Sequence, residues 1–172
     1  MLKDSGFEFE QVRRWIREKE YGRATGIYYM AQGIIQELGE EEGTKLIVQQ
    51  IRKMGNKMGE SMRKRLESMG LENSLENRVK LVESADNSTT IAWDRVSLDV
   101  SEDEFVVKFS YCPIAYGFKQ HREEGVKIGE LFCSNIDDAV SQGYNPKLSC
   151  VRESSLNLDG VCTLHFKMSA SS

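Results

Sequence analysis

The stretch VSLDVSEDEFVVKFSY, residues 96–111, decides the fold class because its apolar residues recur at every second position. They are Val96, Leu98 and Val100 before the acidic segment 101–104, and Phe105, Val107, Phe109 and Tyr111 after it. A period of two is typical of a strand with one buried face, and two such runs around a short polar turn predict a β-hairpin. Pro113 ends the second strand, since proline has no N–H for a sheet.

The chain before this hairpin has the 3.6-residue period of helices. A short amphipathic face over residues 12–19 leads into a helix over 21–38, which is apolar nearly all round and is therefore expected to be a buried central helix. A long helix is predicted over 44–69 and a shorter one over 75–84. The expected helix ends are Gly39 and Gly43, Gly70, and Asn73 or Ser74.

The chain after the hairpin is mixed. Residues 114–143 are interpreted as an irregular connection with two short helical pieces, 128–133 and 136–140. Two last strands are predicted over 147–152 and 161–168, joined by a turn that contains Gly160.

Helices followed by strands predict an α+β fold, with N-terminal helices packed on a C-terminal antiparallel sheet of about four strands. The chain has 172 residues, which fits one domain of ordinary size, and no linker divides it. We expect a single domain over 1–172, with a helical half at about 8–86 and a mixed sheet half at about 89–168.

The bulk composition limits the possible partners. The net charge is −4 and the pI is about 5.4, which gives no support for nucleic-acid binding. The sequence shows no signal peptide and no apolar run of the ~18 residues that a membrane span needs. The four cysteines form no CxxC pair, which favours reduced thiols and a cytoplasmic protein. We expect a small-molecule substrate, no nucleic acid, no membrane and a possible homo-oligomer.

Glycines inside the predicted helices need an explanation, because each costs about 1 kcal/mol relative to alanine. Gly22, Gly26 and Gly33 share one helical stripe, and Gly55 and Gly59 lie beside a methionine stripe. One reading is the close approach of two helices. The other is a ligand cavity lined by the side chains Tyr29, Met54, Met58 and Met62.

Three cysteines are placed for chemistry. Cys112 stands at the end of a strand, and Cys133 precedes Asp137 by four positions, so that thiol and carboxylate share a helix face. Alternation puts Cys162 on the core face of the last strand, whereas Cys150 is interpreted as structural. His121, nine residues beyond Cys112, is either a general base for that thiol or a loop histidine without a role.

Five short motifs in order resemble the L-2-amino-thiazoline-4-carboxylic acid hydrolase family, over about residues 105–168. They are Tyr111-Cys112-Pro113, Gly129-Glu130-Leu131-Phe132-Cys133, Ile136-Asp137, Gly143-Tyr144-Asn145-Pro146 and Gly160-Val161-Cys162. The last segment is also similar to 4-vinyl-reductase-like ligand-binding domains. Those domains carry a structural zinc site, whose middle cysteine would fall here near Ser154 or Ser155.

The family resemblance implies a hydrolase that acts on a C–N bond of a cyclic amidine or amide of a small carboxylate. For this reaction we expect the catalytic residues Cys112, Cys133, Asp137 and His121, and the substrate-binding residues Tyr111, Tyr144, Asn145 and Cys162. Two routes stay open at this point.

In the first route a thiolate of Cys112 or Cys133 attacks the amidine carbon, and no cofactor takes part. In the second route Cys112, Cys133 and Cys162 hold a zinc ion that activates water. The candidates for binding the substrate carboxylate are Arg122, Lys127 and Lys147. The competing hypothesis is a non-catalytic small-molecule-binding or sensor domain of the 4-vinyl-reductase-like type.

Overall fold

A computed structural model of the chain describes residues 8–84 and 88–169. Within them lie six helices and four strands. The helices are α1 Phe9–Leu38, α2 Glu40–Ser68, α3 Leu75–Glu83, α4 Ser88–Ala92, α5 Pro113–Lys119 and α6 Arg122–Tyr144. The strands are β1 Asp94–Val100, β2 Glu104–Tyr111, β3 Leu148–Ser154 and β4 Cys162–Met168. The predicted α+β fold is confirmed.

The four strands form one antiparallel sheet in the order β1-β2-β4-β3. The predicted hairpin is β1–β2, and its turn is closed by the N–H of Ser101, which donates to the carbonyl of Glu104. Phe105 pairs with Phe166 across β2 and β4, and their rings stack with centroids 4.3 Å apart. The inward side chains of the sheet therefore form one continuous apolar face.

Two clusters of buried side chains make the core. One joins α1, α2, α5 and α6, and the other joins the inner face of the sheet to the end of α2, to α3 and to α6. Met62 and Trp93 are half-buried and contact both clusters. A cavity remains between the helices and the sheet, and it contains the site described below.

The connection after the hairpin differs from the prediction. Residues 122–144 form one continuous helix, α6, instead of two short pieces in an irregular segment. Ile128, Phe132, Ile136, Ala139 and Val140 are all buried on one face of it, which is the spacing that a packed helix requires. The intervening serine and asparagine residues lower helix propensity, but tertiary packing outweighs that preference.

Close helix packing accounts for the glycines of α2. A Cβ atom on Gly55 would lie 2.7 Å from the Cβ of Ala139, and one on Gly59 would overlap the backbone of α6. At these two positions the close-approach reading is confirmed.

The glycines of α1 are different. A Cβ atom on Gly22, Gly26 or Gly33 would meet no atom within 4 Å. No helix of the described chain contacts them, and Gly22 and Gly26 are exposed rather than lining a cavity. The helix itself is not the buried central helix that was expected, since Tyr29 is 60% and Met30 64% exposed. It buries only one stripe, because the rest of its surface has no neighbour in the described chain.

Most helix ends follow the predicted signals, but Gly43 does not end a helix, because α2 already begins at Glu40 and packs Gly43 against α1. Gly70 has a φ of 71°, and α2 ends in a Schellman arrangement in which Gly70 and Leu71 donate to the carbonyls of Glu67 and Leu66. Ser74 caps α3 by accepting the N–H of Asn77. Among the described helices, none combines the length and the apolar character that crossing a membrane would demand.

Candidate active site

A cavity of about 270 Å³ lies between the helices and the inner face of the sheet. Its walls are mainly apolar, with Met54, Met58 and Met62 from α2 on one side and residues of β2, β4 and α6 on the others. The polar groups that line it are Glu20, Arg23, Arg78, Cys112, Glu130, Cys133, Asp137, Arg152, Ser155, Asn157 and Cys162. A few polar groups in an apolar, concave wall are typical of a small-molecule site.

A second depression, of about 350 Å³, lies beside Asp94 and is lined by Arg13, Arg95 and Trp93 among others. Arg13 and Arg17 both pair there with the Asp94 carboxylate. This depression is open to solvent, and its Asp94 carboxylate is already paired with two arginines. The interior cavity is therefore the better candidate site.

Three of the predicted thiols converge on the interior cavity from three different elements. Cys112 follows β2, Cys133 lies in α6 and Cys162 begins β4. Cys112 is also the N-cap of α5, where its Sγ accepts the N–H of Ala115 at 3.5 Å, and Pro113 takes the first helical position. The Cys-Pro motif is thus a strand-to-helix turn at the edge of the cavity.

Burial keeps these thiols protonated. It raises the pKa of Cys112 to about 11 and that of Cys162 to about 12. The pKa of Cys133 is raised by burial and further by the neighbouring Cys112 and Asp137. A buried thiol in apolar surroundings is inert compared with the low-pKa thiols of reactive sites.

Asp137 lies one helical turn after Cys133 and lines the same cavity, as the spacing predicted. Burial raises the pKa of its carboxyl to about 6, against the opposing effect of the positive charges of Arg78 and Arg152. Within residues 8–84 and 88–169, no donor hydrogen-bonds this carboxylate. The group therefore exchanges protons near neutral pH and is free to act on a bound molecule.

Arg152 is held by other residues of the cavity wall. Its guanidinium donates to Glu130 at 2.6 Å and to Ser134 at 2.7 Å. Glu130 in turn accepts from Ser155 at 2.6 Å and from Asn157 at 3.1 Å. This network fixes the loop after β3 against α6, and Glu130 pairs with the positive charge of Arg152.

Among the described residues, Arg78 has no such partners. Its Nε is buried without a hydrogen bond, and the guanidinium lies over the Phe166 ring, 5.7 Å from the centroid. In the described part of the chain no carboxylate oxygen comes within 4.0 Å of it, although the charge of Asp137 acts on it from further away. Burial lowers its pKa, but a guanidinium starts so far above neutrality that it stays charged.

Four sequence candidates lie outside the cavity lining. Tyr111 is in contact with Tyr21 through the two hydroxyls and stacks with Arg17, whose Cζ lies 4.2 Å from the ring centroid. His121 caps α6, stacks on Tyr28 at 4.1 Å and contacts Thr25. The structure therefore does not bring His121 to Cys112.

Tyr144 and Asn145 end α6 and hold a different part of the fold. The Tyr144 hydroxyl donates to the carbonyl of Ser74 at 2.9 Å, and the Asn145 amide donates to the carbonyl of Asn73 at 2.7 Å. Both residues thereby attach the loop before α3 to the end of α6.

The zinc alternative does not fit this arrangement. Among the described residues, no three His, Cys, Asp or Glu side chains are grouped so that they could hold one metal ion, and this includes Cys112, Cys133 and Cys162. The three thiols line one cavity, but each comes from a different element.

The basic residues of the cavity are not those proposed from the sequence. Arg122, Lys127 and Lys147 do not line it, whereas Arg78 and Arg152 do. The sequence positions of both arginines indicated that they face the interior. Arg78 stands at i+3 from Leu75 on the apolar face of α3, and Arg152 follows Leu148 and Cys150 on the inward side of β3.

Comparison with known proteins gives one family and a group of similar folds. The family model for L-2-amino-thiazoline-4-carboxylic acid hydrolase matches residues 17–166, which extends the resemblance from the sheet half over the helices. No curated protein gives a significant match. Among solved structures, trafficking protein particle complex subunit 3 from Naegleria fowleri, covalently bound to palmitic acid, is 16% identical with a TM-score of 0.57. The match covers 88% of this chain and 96% of that one. At this identity the likeness concerns the fold alone.

Proposed function

The chain belongs to the L-2-amino-thiazoline-4-carboxylic acid hydrolase family, and from this premise we propose that it hydrolyses a cyclic amidine or amide of a small carboxylate. Asp137 is the proton-transferring group in this proposal. The observation that carries it is a free carboxylate with a pKa of about 6 inside an apolar cavity. A group with a pKa near the working pH is the most effective general acid and base.

In the proposed reaction Asp137 takes a proton from water while the water oxygen bonds to the amidine carbon. The proton passes to the ring nitrogen, and the C–N bond breaks as the second water proton follows it. The carbon keeps the oxygen as a carbonyl and the nitrogen leaves as an amine, so that one water is consumed for one bond broken. Asp137 returns to its carboxylate form.

The thiols have a secondary part in this mechanism. With a pKa of about 11, Cys112 is a thiolate in only about one molecule in 10,000 at pH 7. Cys112, Cys133 and Cys162 instead line the cavity wall and offer weak S–H donors. The thiolate route thus has less support than the carboxylate route, and His121 has no place in either.

The proposal is tested by incubating the protein with 2-amino-thiazoline-4-carboxylate and following the gain of one water by mass spectrometry. Reagents for free amines and free thiols show which ring bond breaks. Asp137→Asn keeps the shape and removes the base, so turnover is expected to fall roughly 10²- to 10⁴-fold. Asp99→Asn, the same change on the exposed surface of β1, serves as the control. If Asp137→Asn retains the activity of the control, the proposal fails.

A second candidate is a non-catalytic binding domain for a small acid with an apolar body. The apolar cavity walls favour it, and so does the fold shared with a trafficking subunit whose structure holds palmitic acid. The same incubation separates the two candidates. Binding of the thiazoline acid without any water gain would favour the binding domain.

A further inference from the structure

We propose that Arg78 is the anion-binding residue of the interior cavity and receives the carboxylate of the ligand. The inference rests on the proposed function because it takes from it the class of ligand, a small carboxylate. It does not require that the bound molecule reacts. It assigns a role to a residue that the family motifs do not contain.

The first argument is that the described chain does not provide the hydrogen-bond acceptors that the Arg78 guanidinium needs. A buried guanidinium is normally paired and hydrogen-bonded, because burying an uncompensated charge is costly. Arg78 has a buried Nε without a partner and, in the described residues, no ion pair. It lines the cavity, so a ligand can supply the missing acceptors.

The second argument is the contrast with Arg152. That side chain lies in the same wall, yet Glu130 and Ser134 already accept its hydrogen bonds. Arg152 is therefore already paired with a carboxylate, as is Arg23, the third arginine of the lining. In the described residues no carboxylate oxygen lies within 4.0 Å of Arg78, so its charge is the one that a ligand anion can pair with. Its planar fork suits a carboxylate, which accepts two parallel hydrogen bonds.

The third argument is that Arg78 is held firmly. Leu75, Val79 and Val82 are buried and fix α3, the helix that carries it. Tyr144 and Asn145 hydrogen-bond the backbone of the loop that leads into α3. The Gly143-Tyr144-Asn145-Pro146 motif thus has a role without touching the ligand, because it positions the helix that presents Arg78. Sites built on supported elements hold their geometry better than sites on free loops.

The ligand class follows from the surroundings of the guanidinium. The Phe166 ring lies beneath it, and the methionines of α2 form another wall of the same cavity. At about 270 Å³ the cavity is slightly below the usual range for drug-sized ligands, roughly 300–1,000 Å³. The expected occupant is a compact monocarboxylate whose remaining atoms are apolar or weakly polar.

The experiment is a binding titration by calorimetry in the Asp137→Asn background, so that the ligand is not consumed. The probes are 2-amino-thiazoline-4-carboxylate and its neutral 4-carboxamide. Arg78→Met keeps the length of the side chain and removes the charge, and it is expected to weaken binding of the acid roughly 10- to 100-fold. Binding of the amide should change less than twofold. Arg65→Met, on the exposed end of α2, is the matched control.

Folding of the variants is checked by thermal melting, and Arg78→Lys, which keeps the charge, is expected to retain part of the affinity. If Arg78→Met binds the acid as well as the control does, the inference is overturned even if the wild-type protein turns the substrate over. If the acid binds through Arg78 but no water is gained, the proposed hydrolysis fails and the inference stands. If the acid does not bind, cyclopentanecarboxylate and hexanoate are tested in its place. Should none of these acids bind more tightly than its amide, the inference is likewise overturned.

Discussion

Asp137 is the residue on which the chemistry depends, and its environment has a consequence for stability as well. Burial raises the pKa of its carboxyl from about 4 in an unfolded chain to about 6. A raised pKa means that the fold disfavours the charged form, so the penalty is absent below pH ~4 and fully present above pH ~6.

Asp137→Asn should therefore stabilise the protein while it removes activity. Two pKa units correspond to roughly 3 kcal/mol, an order-of-magnitude figure for the gain at pH 7.5. Urea unfolding of variant and wild type at pH 7.5 measures it, and the difference should shrink as the pH is lowered toward 4. A variant that is less stable than wild type at pH 7.5 would show that the carboxylate has partners that this structure lacks.

Cys112→Ser separates the two chemical routes at the residue scale. A serine hydroxyl caps a helix at least as well as a thiol, so α5 should form normally. If Asp137 activates water, we expect turnover to change less than about tenfold, because no bond to the thiol forms. Steady-state kinetics of Cys112→Ser and Cys133→Ser decide this. A loss as large as that of Asp137→Asn in either variant would support thiolate attack.

At the scale of elements, the glycines of α1 and α2 allow a matched pair of substitutions. Gly55 faces α6, where an added methyl would lie 2.7 Å from the Cβ of Ala139 and 2.9 Å from the carbonyl oxygen of Ile136. Gly26 faces open space on α1. Gly55→Ala should cost about 1–3 kcal/mol through overpacking.

Gly26→Ala should instead stabilise the protein by about 0.5–1 kcal/mol, because alanine is the better helix former. Chemical denaturation of both variants tests the pair. A loss of stability at Gly26 would mean that another chain covers this face of α1 in solution, and the oligomeric state would then be measured. The possible homo-oligomer expected from the sequence remains a prediction.

Some features of the helices and strands could be predicted from the sequence alone, and others could not. The hairpin, the glycine end of α2 and the serine cap of α3 depend on local chemistry, so the sequence predicts them well. The continuity of α6 does not depend on local chemistry. The sheet and α2 bury its apolar stripe, and this packing outweighs the low helix propensity of Ser134 and Asn135. The exposure of α1 depends on what packs against it, which no local pattern contains.

For the whole molecule, the α+β fold is the framework that brings distant residues into one cavity. The sequence placed Cys112, Cys133, Asp137 and Cys162 among the candidates, and all four line it. It misjudged Tyr144 and Asn145, since a motif residue that supports a helix cannot be told from one that binds a ligand without tertiary contacts. It missed Arg78, although a lone arginine on the apolar face of a short helix was a visible signal. A single domain and a cytoplasmic location stay predictions.

The pH dependence of turnover tests the central claim most directly. The measurement is kcat/KM for 2-amino-thiazoline-4-carboxylate between pH 4.5 and 8.5. Since Asp137 acts as a base in its ionised form, kcat/KM should be half-maximal near pH 6, fall about tenfold per unit below that value and level off above it. A profile without a change near pH 6, or one that rises only above pH 10 as thiols ionise, would contradict the account.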